Sequence, residues 1–273
     1  MLDIKYKSNA GTVIPLNSGV YVGKPNDLFS REWDYKIGYR ALATATASRG
    51  ARKVSFKAFF ANMTQADAFR RCADMDMQKG TPGTIYVNDW FQRCFVVASE
   101  VDGIGDDFFT TKLTLVLLDG VWRRGTTTAF VSVQGSADYE FLDLPHDLPY
   151  DLGVTPPLQY AINPGYSGSP AKFVVYGPAV NPSVRLAGNL YQVDVTVPEG
   201  GYMDIDPLRR TVTVVAADGT TMDAFSKAHR GSGVGSGEYI FEHVPVGTSE
   251  ISWDNSFGFD LTLYEEEGEP AWS

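Results

Sequence analysis

Residues 53–118 decide the fold and read KVSFKAFFANMTQADAFRRCADMDMQKGTPGTIYVNDWFQRCFVVASEVDGIGDDFFTTKLTLVLL. In its first eight residues, apolar side chains recur at every second position: Val54, Phe56, Ala58 and Phe60. Ser55 and Lys57 fall between them. Because successive side chains of a strand point to opposite faces, this alternation predicts a β-strand with one buried face.

A helix is predicted to follow this strand. Thr64 is the expected N-cap, and Asp67 places a carboxylate near the positive end of the helix dipole. One face carries residues spaced three and four apart, most of them small or apolar: Ala66, Phe69, Cys72, Ala73 and Asp76. Such a stripe lets a helix bury one face. Gly80 is expected to end the helix, and Pro82 prevents it from continuing.

Three more strands are predicted after the helix: Thr84–Asn88, Phe91–Ala98 and Phe109–Leu118. The segment Asp102–Asp107 is expected to turn the chain before the last of them, which places Leu113, Leu115 and Leu117 on one face. The whole stretch therefore predicts one helix packed on a long antiparallel sheet. It is a scaffold, and it contains no recognisable reaction centre.

The composition narrows the class of protein. The chain has 273 residues, enough for two ordinary domains, and 44% of them are hydrophobic, so a folded core is expected. The formal net charge of −10 argues against a nucleic-acid binder, which is normally basic. No apolar run approaches the ~20 residues of a membrane helix, and the N-terminus has no apolar signal core. We therefore expect a soluble protein made in the cytoplasm, with neither nucleic acid nor membrane as a partner.

No pattern in the sequence predicts a catalytic, metal or cofactor site. Cys72 and Cys94 are expected to be buried thiols, and a disulfide between them is left open. The three histidines stand apart from one another and from any cysteine pair, so zinc is not expected. Paired aspartates lie mostly at expected turns, and a glycosidase pair among them stays open. Six aromatic residues are candidates for either a sugar site or a core: Tyr160, Tyr166, Tyr176, Tyr191, Tyr202 and Trp253.

Two segments before residue 53 carry further signals. Apolar residues alternate with polar or small ones in the series Trp33, Tyr35, Ile37 and Tyr39, which predicts a half-buried strand. The basic turn at 48–53 reads Ser-Arg-Gly-Ala-Arg-Lys. It is expected to be a solvated hairpin tip, with a contact to an acidic neighbour as the alternative.

The domain boundary is predicted from Glu140–Leu152, where Asp-Leu-Pro repeats with a period of four. Each proline restricts itself and the residue before it to extended backbone, which indicates a semi-rigid linker. We predict a first domain over 1–133, a linker over 134–154 and a second domain over 155–273. The alternative is that the last residues return to the first domain.

The second domain is predicted to be an antiparallel β-sandwich, because its short alternating strands follow one another with turn signals between them. Gly231–Gly237 consists almost entirely of glycine and serine and is predicted to be a mobile loop. The fold class predicted for the whole chain is mainly β, with one packed helix in the first half.

Several blocks of the sequence resemble siphophage-type distal tail proteins (Dit). They are Glu140–Leu152, Phe173–Pro182, Gly201–Asp206 with Arg210–Val212, and Phe257–Tyr264 with Glu269–Trp272. The resemblance covers the second half well, and the first half matches in its order of strands and helix. It implies a phage or prophage tail component whose C-terminal β-sandwich is galectin-like.

The resemblance also implies a function. Such proteins form a homohexameric ring at the tip of a long flexible tail, made in the bacterial cytoplasm and built into the virion. The first domain forms the ring, which joins the tail tube protein to the hub that holds the tape-measure end. The second can carry receptor-binding proteins. No catalytic residue or cofactor is implied. The alternative from another class is a carbohydrate-binding β-sandwich module, for which the sequence offers no ordered set of sugar-binding residues.

The ring contact is predicted to involve the turn Asn88, Asp89, Trp90 and Phe91, where two apolar side chains follow a polar pair. Long strands leave edges on which another chain can pair, and a repeated contact closes into a ring when its rotation allows. For Trp90 and Phe91 the alternative is a place in the core.

Overall fold

The computed structural model describes residues 2–17, 27–37, 44–105, 109–132 and 159–271. The protein is mainly β with large antiparallel sheets and one α-helix, which confirms the predicted fold class. The chain separates into two compact units. The first unit is Met1–Arg124 with Glu266–Ser273, and the second is Gly125–Glu265.

The elements that begin in the first unit are β1 (Ile4–Lys7), β2 (Val13–Pro15), β3 (Asp34–Ile37), β4 (Thr44–Ser48), β5 (Arg52–Phe60), α1 (Met63–Lys79), β6 (Gly83–Val87), β7 (Trp90–Ile104), β8 (Phe109–Leu117) and β9 (Trp122–Phe130). A short 3₁₀ helix covers Asp27–Phe29. The main sheet has the order β2-β1-β6-β7-β8-β5, with every pair antiparallel. β3 and β4 form a separate pair.

The strands of the predicted stretch fold as their periodicity indicates. On β5 the apolar residues from Val54 to Phe60 are buried at every second position. Leu113, Leu115 and Leu117 of β8 are fully buried. The prediction that Asp102 already turns the chain is wrong, because β7 continues to Ile104. Its pairing with β8 shifts register between Val101 and Gly103, a bulge that accommodates the glycine inside a strand.

The helix α1 buries the predicted face, with Phe69, Cys72, Ala73 and Asp76 inside. Gly80 ends the helix in the left-handed conformation at φ 64°, as expected. The predicted N-cap is wrong, because Asn62 caps the helix and Thr64 lies inside it. The Asn62 side chain accepts a hydrogen bond from the Gln65 amide at 2.9 Å. The Gln65 side chain in turn accepts one from the Ala61 amide at 3.0 Å.

The core of the first unit lies between α1 and the sheet. The Phe69 ring meets Tyr6 edge-on at 5.3 Å and Phe60 at 5.4 Å. Cys72 and Cys94 are both free and buried, which confirms the expectation of buried thiols. The half-buried strand predicted at Trp33 is wrong in its burial, since Trp33 and Tyr35 are 45% and 65% exposed. Tyr39 lies outside the described residues.

The second unit contains β10 (Gln159–Asn163), β11 (Ser169–Tyr176), β12 (Ala179–Val180), β13 (Ser183–Leu186), β14 (Asn189–Gln192), β15 (Thr196–Val197), β16 (Tyr202–Asp206), β17 (Thr211–Val215), β18 (Thr221–Asp223), β19 (His243–Val244), β20 (Gly247–Ser252) and β21 (Phe259–Glu267). A second 3₁₀ helix covers Phe225–Lys227. One sheet has the order β18-β17-β16-β11-β21, and another has the order β10-β20-β13-β14. β12 pairs with β15, and β19 pairs with β11.

Both larger sheets of the second unit contribute to one apolar cluster. Phe173 and Ile205 come from the first sheet, and Leu186 and Ile251 come from the second. Two sheets that share a core through alternating inward residues form a β-sandwich. This agrees with the sandwich that the strand spacing predicts. Whether the sandwich is galectin-like stays a prediction.

The glycine-rich segment Gly231–Gly237 is a series of tight turns joined to the rest of the second unit by hydrogen bonds. The Gly235 amide donates to a carboxylate oxygen of Glu242 at 2.6 Å, and the Leu190 amide donates to the carbonyl of Gly237 at 2.8 Å. Gly233 adopts φ 110°, a backbone conformation that side chains disfavour. The glycines therefore allow the positive φ values that these turns require.

The division into units places two segments beyond the predicted boundary. Gly125–Phe130 of β9 belongs to the second unit, and Glu266–Ser273 belongs to the first. The final segment thus returns to the first unit, which was the alternative at the sequence level. The linker predicted at 134–154 lies outside the described residues, so that boundary stays a prediction.

Candidate assembly surface

The outer half of β7 exposes three apolar side chains. Val97, Val101 and Ile104 are 43%, 61% and 59% exposed. Among the described residues, the segment 97–104 pairs with β8 on one edge only. Its other edge presents backbone donors and acceptors, which is a template for a strand of another chain. Sequence reasoning missed this segment, because the pair Asp102-Gly103 was interpreted as a turn.

Charged side chains accompany this edge without covering it. Lys57 of β5, which lies beyond β8 in the sheet, donates to Asp102 at 2.5 Å. Lys112 lies 3.9 Å from Glu100, its cross-strand partner. Both pairs are partly exposed, so each contributes little to stability.

A small cavity lies between α1 and the hairpin of β7 and β8. Its volume is about 50 Å³, and its lining includes Phe60, Phe69, Val101 and Phe109. Thr111 also lines it, and the Thr111 hydroxyl oxygen is buried without a hydrogen-bond partner. Ligand sites usually measure at least ~300 Å³, so this cavity is too small for a cofactor.

The predicted contact turn lies at the other end of β7. Asn88 adopts φ 54°, and its side chain accepts a hydrogen bond from the Asp3 amide at 3.0 Å. Asp89 is exposed, Phe91 is half-buried, and Trp90 is only 3% exposed. The Arg124 guanidinium lies 4.9 Å from the Trp90 ring centroid. A partner would therefore meet Asp89 with parts of Asn88 and Phe91, while Trp90 belongs to the core.

The two patches are well separated along one strand. Trp90 begins β7 and Ile104 ends it. At about 3.3 Å per residue, an extended strand of this length spans roughly 45 Å. The turn at Asn88 and the hairpin edge at Val101 are thus opposite ends of the same element, which allows them to contact two different neighbours.

The basic turn at 48–53 borders a polar cavity of about 320 Å³ lined by Arg52, Lys53, Glu32 and Asp34. Acidic side chains of the same chain line this cavity beside the basic ones. A functional contact of the basic turn with an acidic neighbour stays a prediction. Arg52 donates to the Ser30 hydroxyl at 3.1 Å, and burial lowers its pKa. Arg49 lies over the Trp33 ring at 3.9 Å.

A network of ion pairs in the first unit is centred on Asp119. Asp119, whose side chain is 4% exposed, accepts from the Arg93 guanidinium at 2.9 Å and pairs with Arg123 at 3.4 Å. Arg123 also donates to Glu266 at 2.7 Å. This network ties β7 and β9 to the returning C-terminal segment. It leaves no carboxylate pair aimed into a cleft.

The described part of the chain contains no group of three or more histidine, cysteine, aspartate or glutamate side chains placed to hold a metal ion. It also contains no helix long and apolar enough to cross a membrane. Two of the aromatic candidates for a sugar site, Tyr191 and Trp253, contribute to the core of the second unit. The other four candidates, Tyr160, Tyr166, Tyr176 and Tyr202, are exposed.

The chain has the fold of phage tail-tip proteins. Two comparisons give nothing: no known protein-family profile and no curated protein matches the sequence. Solved structures do match. One is the Dit protein of phage SPP1, described as a paradigm of the hub adsorption apparatus in phages that infect Gram-positive bacteria. It covers 98% of this chain and 99% of its own, with a TM-score of 0.53 and 10% sequence identity.

Two baseplate structures of phage P2, both in the activated conformation, match as well. The one with Ca has a TM-score of 0.62 and 9% identity, and the match covers 99% of this chain and 100% of that chain. The one with Sr has a TM-score of 0.60 and 10% identity over the same shares. The resemblance to distal tail proteins drawn from short sequence blocks is thus confirmed at the level of the fold.

Proposed function

We propose that this protein is a structural component of a long flexible phage tail tip, in the role of a distal tail protein. The observation that supports it most is the whole-chain likeness to hub and baseplate proteins, which extends over 98–99% of this chain. A match to one domain alone would fit any β-sandwich. A match through both units favours the tail-tip architecture over a single binding module.

The first unit is proposed to form a homohexameric ring. The unpaired edge of β7 around Val101 and the turn at Asp89 are different patches at opposite ends of one strand. A contact between two different patches is heterologous, and it closes into a ring when its rotation divides the circle. Edge pairing between strands supplies backbone hydrogen bonds, and the exposed valines supply apolar area.

The ring is proposed to join the tail tube protein to the tail hub at the end of the tape measure. The second unit is proposed to carry receptor-binding or accessory proteins. In this role the protein binds and positions its partners and catalyses no reaction. It would be made in the bacterial cytoplasm and act at the virion tail tip. Trp253 packs in the core, which removes the main residue expected for a carbohydrate-binding module.

Light scattering over a concentration series tests the ring. We expect growth from monomer towards a hexamer, alone or with the tail tube and hub proteins. Val101→Glu places a charge on the unpaired edge and should weaken self-association by at least about tenfold, or about 1.4 kcal/mol. Val234→Glu is the matched control, since Val234 is 79% exposed in the second unit.

Two outcomes would contradict the proposal. A strict monomer that also fails to assemble with both neighbouring tail proteins would rule out the ring. A stable symmetric dimer would favour a sugar-binding sandwich instead. Equal effects of Val101→Glu and Val234→Glu would remove the β7 edge from the interface while leaving the ring itself open to other contacts.

A further inference from the structure

The charge of the protein is distributed unevenly between its units. The first unit contains 17 basic and 16 acidic residues, whereas the second contains 6 basic and 17 acidic residues. The formal net charge is therefore +1 for the first unit and −11 for the second. A field of this sign attracts basic partners and repels anionic polymers.

Part of this acidic surface lies on the outward face of the sheet β18-β17-β16-β11-β21. Its first row is aromatic, because Tyr176 of β11 pairs with Tyr202 of β16. The two side chains are 45% and 38% exposed. Val215 of β17 continues the row beyond Tyr202. Two exposed tyrosines opposite each other form an apolar patch on the sheet face. Exposed patches of this kind often mark binding sites for another molecule.

The next row of the same face is acidic. Asp260, Val174, Asp204, Thr213 and Asp223 follow one another across five strands. Asp260 accepts a hydrogen bond from the Tyr176 hydroxyl at 2.8 Å. This bond joins the two rows, so the phenol ring of Tyr176 is held beside a carboxylate.

Asp204 has capacity left for a donor. One of its carboxylate oxygens accepts from the Lys172 ammonium at 3.1 Å. The other oxygen is buried and has no hydrogen-bond partner. A buried carboxylate oxygen without a donor is costly, and because this one is closed to solvent, a donor from another molecule would reach it only after the Asp204 side chain turns outward.

Two of the positive charges near this face are already engaged. Lys172 pairs with Asp204, and Arg209 lies 3.8 Å from Asp206. Asp206 also accepts two backbone hydrogen bonds in its own turn. Asp260 and Asp223 have no ion-pair partner among the described residues. The face therefore retains a negative charge beside its exposed aromatic rings.

We propose that this tyrosine–aspartate face binds a basic segment of another protein. An arginine guanidinium stacks on a tyrosine ring and donates in parallel to a carboxylate, so Tyr176 with Asp260 offers both contacts at once. A second basic side chain would stack on Tyr202 and, once the Asp204 side chain turns outward, would donate to its second carboxylate oxygen. The inference rests on the proposed function, since it gives the chemistry of the protein that the second unit would carry.

A neutral glycan is the main competitor for such a face, because sugars also stack on tyrosine. A glycan would gain little from the acidic row and would bind independently of salt. A basic segment depends on both rows and weakens as salt screens the charges. The two ligands are therefore distinguishable by the aspartates and by ionic strength.

The test uses the full-length protein and a short peptide of alternating arginine and glycine, with titration calorimetry as the readout. We expect the double variant Tyr202→Ala with Asp260→Asn to bind the peptide about tenfold more weakly than the unchanged protein. The matched control is Tyr160→Ala with Glu250→Gln. Tyr160 and Glu250 are cross-strand partners on the other sheet, and Tyr160 is 50% exposed. Both doubles lose one tyrosine and one charge.

Several outcomes overturn the inference. Equal weakening in the two doubles would show attraction to net charge alone. Absence of peptide binding by the unchanged protein would also refute it. Binding of host wall polysaccharide that is lost in Tyr202→Ala and unchanged in Asp260→Asn would assign the face to glycans.

Asp260→Asn alone, with its fold checked by its melting temperature, keeps the test valid if the double variant misfolds. Loss of the hexamer with peptide binding retained would count against the proposed function only.

Discussion

Asp76 lies on the buried face of α1 and is 3% exposed. It accepts a hydrogen bond from the Tyr6 hydroxyl at 2.6 Å and another from the Asn9 amide at 3.1 Å. These bonds tie α1 to β1 and to the turn that follows it. Gly83 makes room for this contact, since a Cβ there would lie 2.2 Å from the Tyr6 hydroxyl.

Removal of the Asp76 carboxylate should destabilise the first unit. Asp76→Ala leaves the Tyr6 hydroxyl and the Asn9 amide without an acceptor, and we expect a loss of about 2 kcal/mol or more. Tyr6→Phe should cost less in the Asp76→Ala background than in the unchanged protein, by at least about 0.5 kcal/mol. Urea denaturation of the four proteins measures both numbers. Additive effects would show that the two side chains act independently.

Alkaline pH should destabilise the protein because two buried tyrosine hydroxyls and one buried thiol resist deprotonation in the folded state. Burial is the largest cause that raises the pKa of Tyr6, Cys94 and Tyr191 above the ordinary values of 10.0 for tyrosine and 9.0 for cysteine. A raised folded-state pKa contributes stability that is complete below the unfolded-state pKa and is lost as pH rises through the folded one. The free energy of unfolding should therefore stay level to about pH 9 and fall above it. A level profile up to about pH 11 would contradict this expectation.

The start of α1 tests the corrected cap at the scale of the element. Asn62→Ala removes the side-chain oxygen that accepts from the Gln65 amide, and should cost about 1 kcal/mol. Thr64→Ala is the matched control and should change stability by less than about 0.5 kcal/mol, since Thr64 is exposed inside the helix. Thermal unfolding monitored by circular dichroism compares them. A larger loss in Thr64→Ala would restore the original assignment.

Sequence patterns predicted the helix and strands that bury one face against adjacent elements of the same unit. The alternation of Val54 to Phe60 and the stripe from Phe69 to Asp76 fixed β5 and α1, because each pattern has a period that only one element satisfies. Trp33 and Tyr35 have the same alternation and are exposed, since periodicity defines a face without showing what covers it. The Asn62 cap had a readable signal, namely Gln65 three residues later.

The assembly surface was less predictable than the elements. Asn88 to Phe91 was selected for apolar residues beside a turn, and the structure separates exposed Asp89 from buried Trp90. The exposed edge at Val101 was hidden, because Asp102-Gly103 has turn chemistry while long-range pairing with β8 continues the strand through a bulge. Local propensity gives way to such pairing wherever a sheet supplies the partner.

At the scale of the whole molecule, contacts between distant residues decide the units. Phe130 stacks on Phe259 at 4.9 Å, although the two residues are 129 positions apart in the sequence. No local pattern predicts this pairing, because it depends on the fold. Gly268 and Pro270 are buried, and Ala271 packs on the core of the first unit. Composition predicts a linker at 134–154, and it carries no information on which segments lie beyond such a boundary and return.

The fragment Gly125–Glu265 should therefore fold alone more stably than the fragment 155–265. The longer one retains Phe130, which also meets Trp253 edge-on at 5.8 Å, and loss of a buried phenylalanine costs about 3–5 kcal/mol. Trp253 is the one tryptophan in both fragments, so its fluorescence in urea reports each unfolding transition. Phe130→Ala in the longer fragment should reproduce much of the loss. Val131→Ala, at a side chain 72% exposed, should not. Equal stability of the two fragments would mean that Gly125–Phe130 is dispensable and that the boundary lies in the linker, as the sequence first indicated.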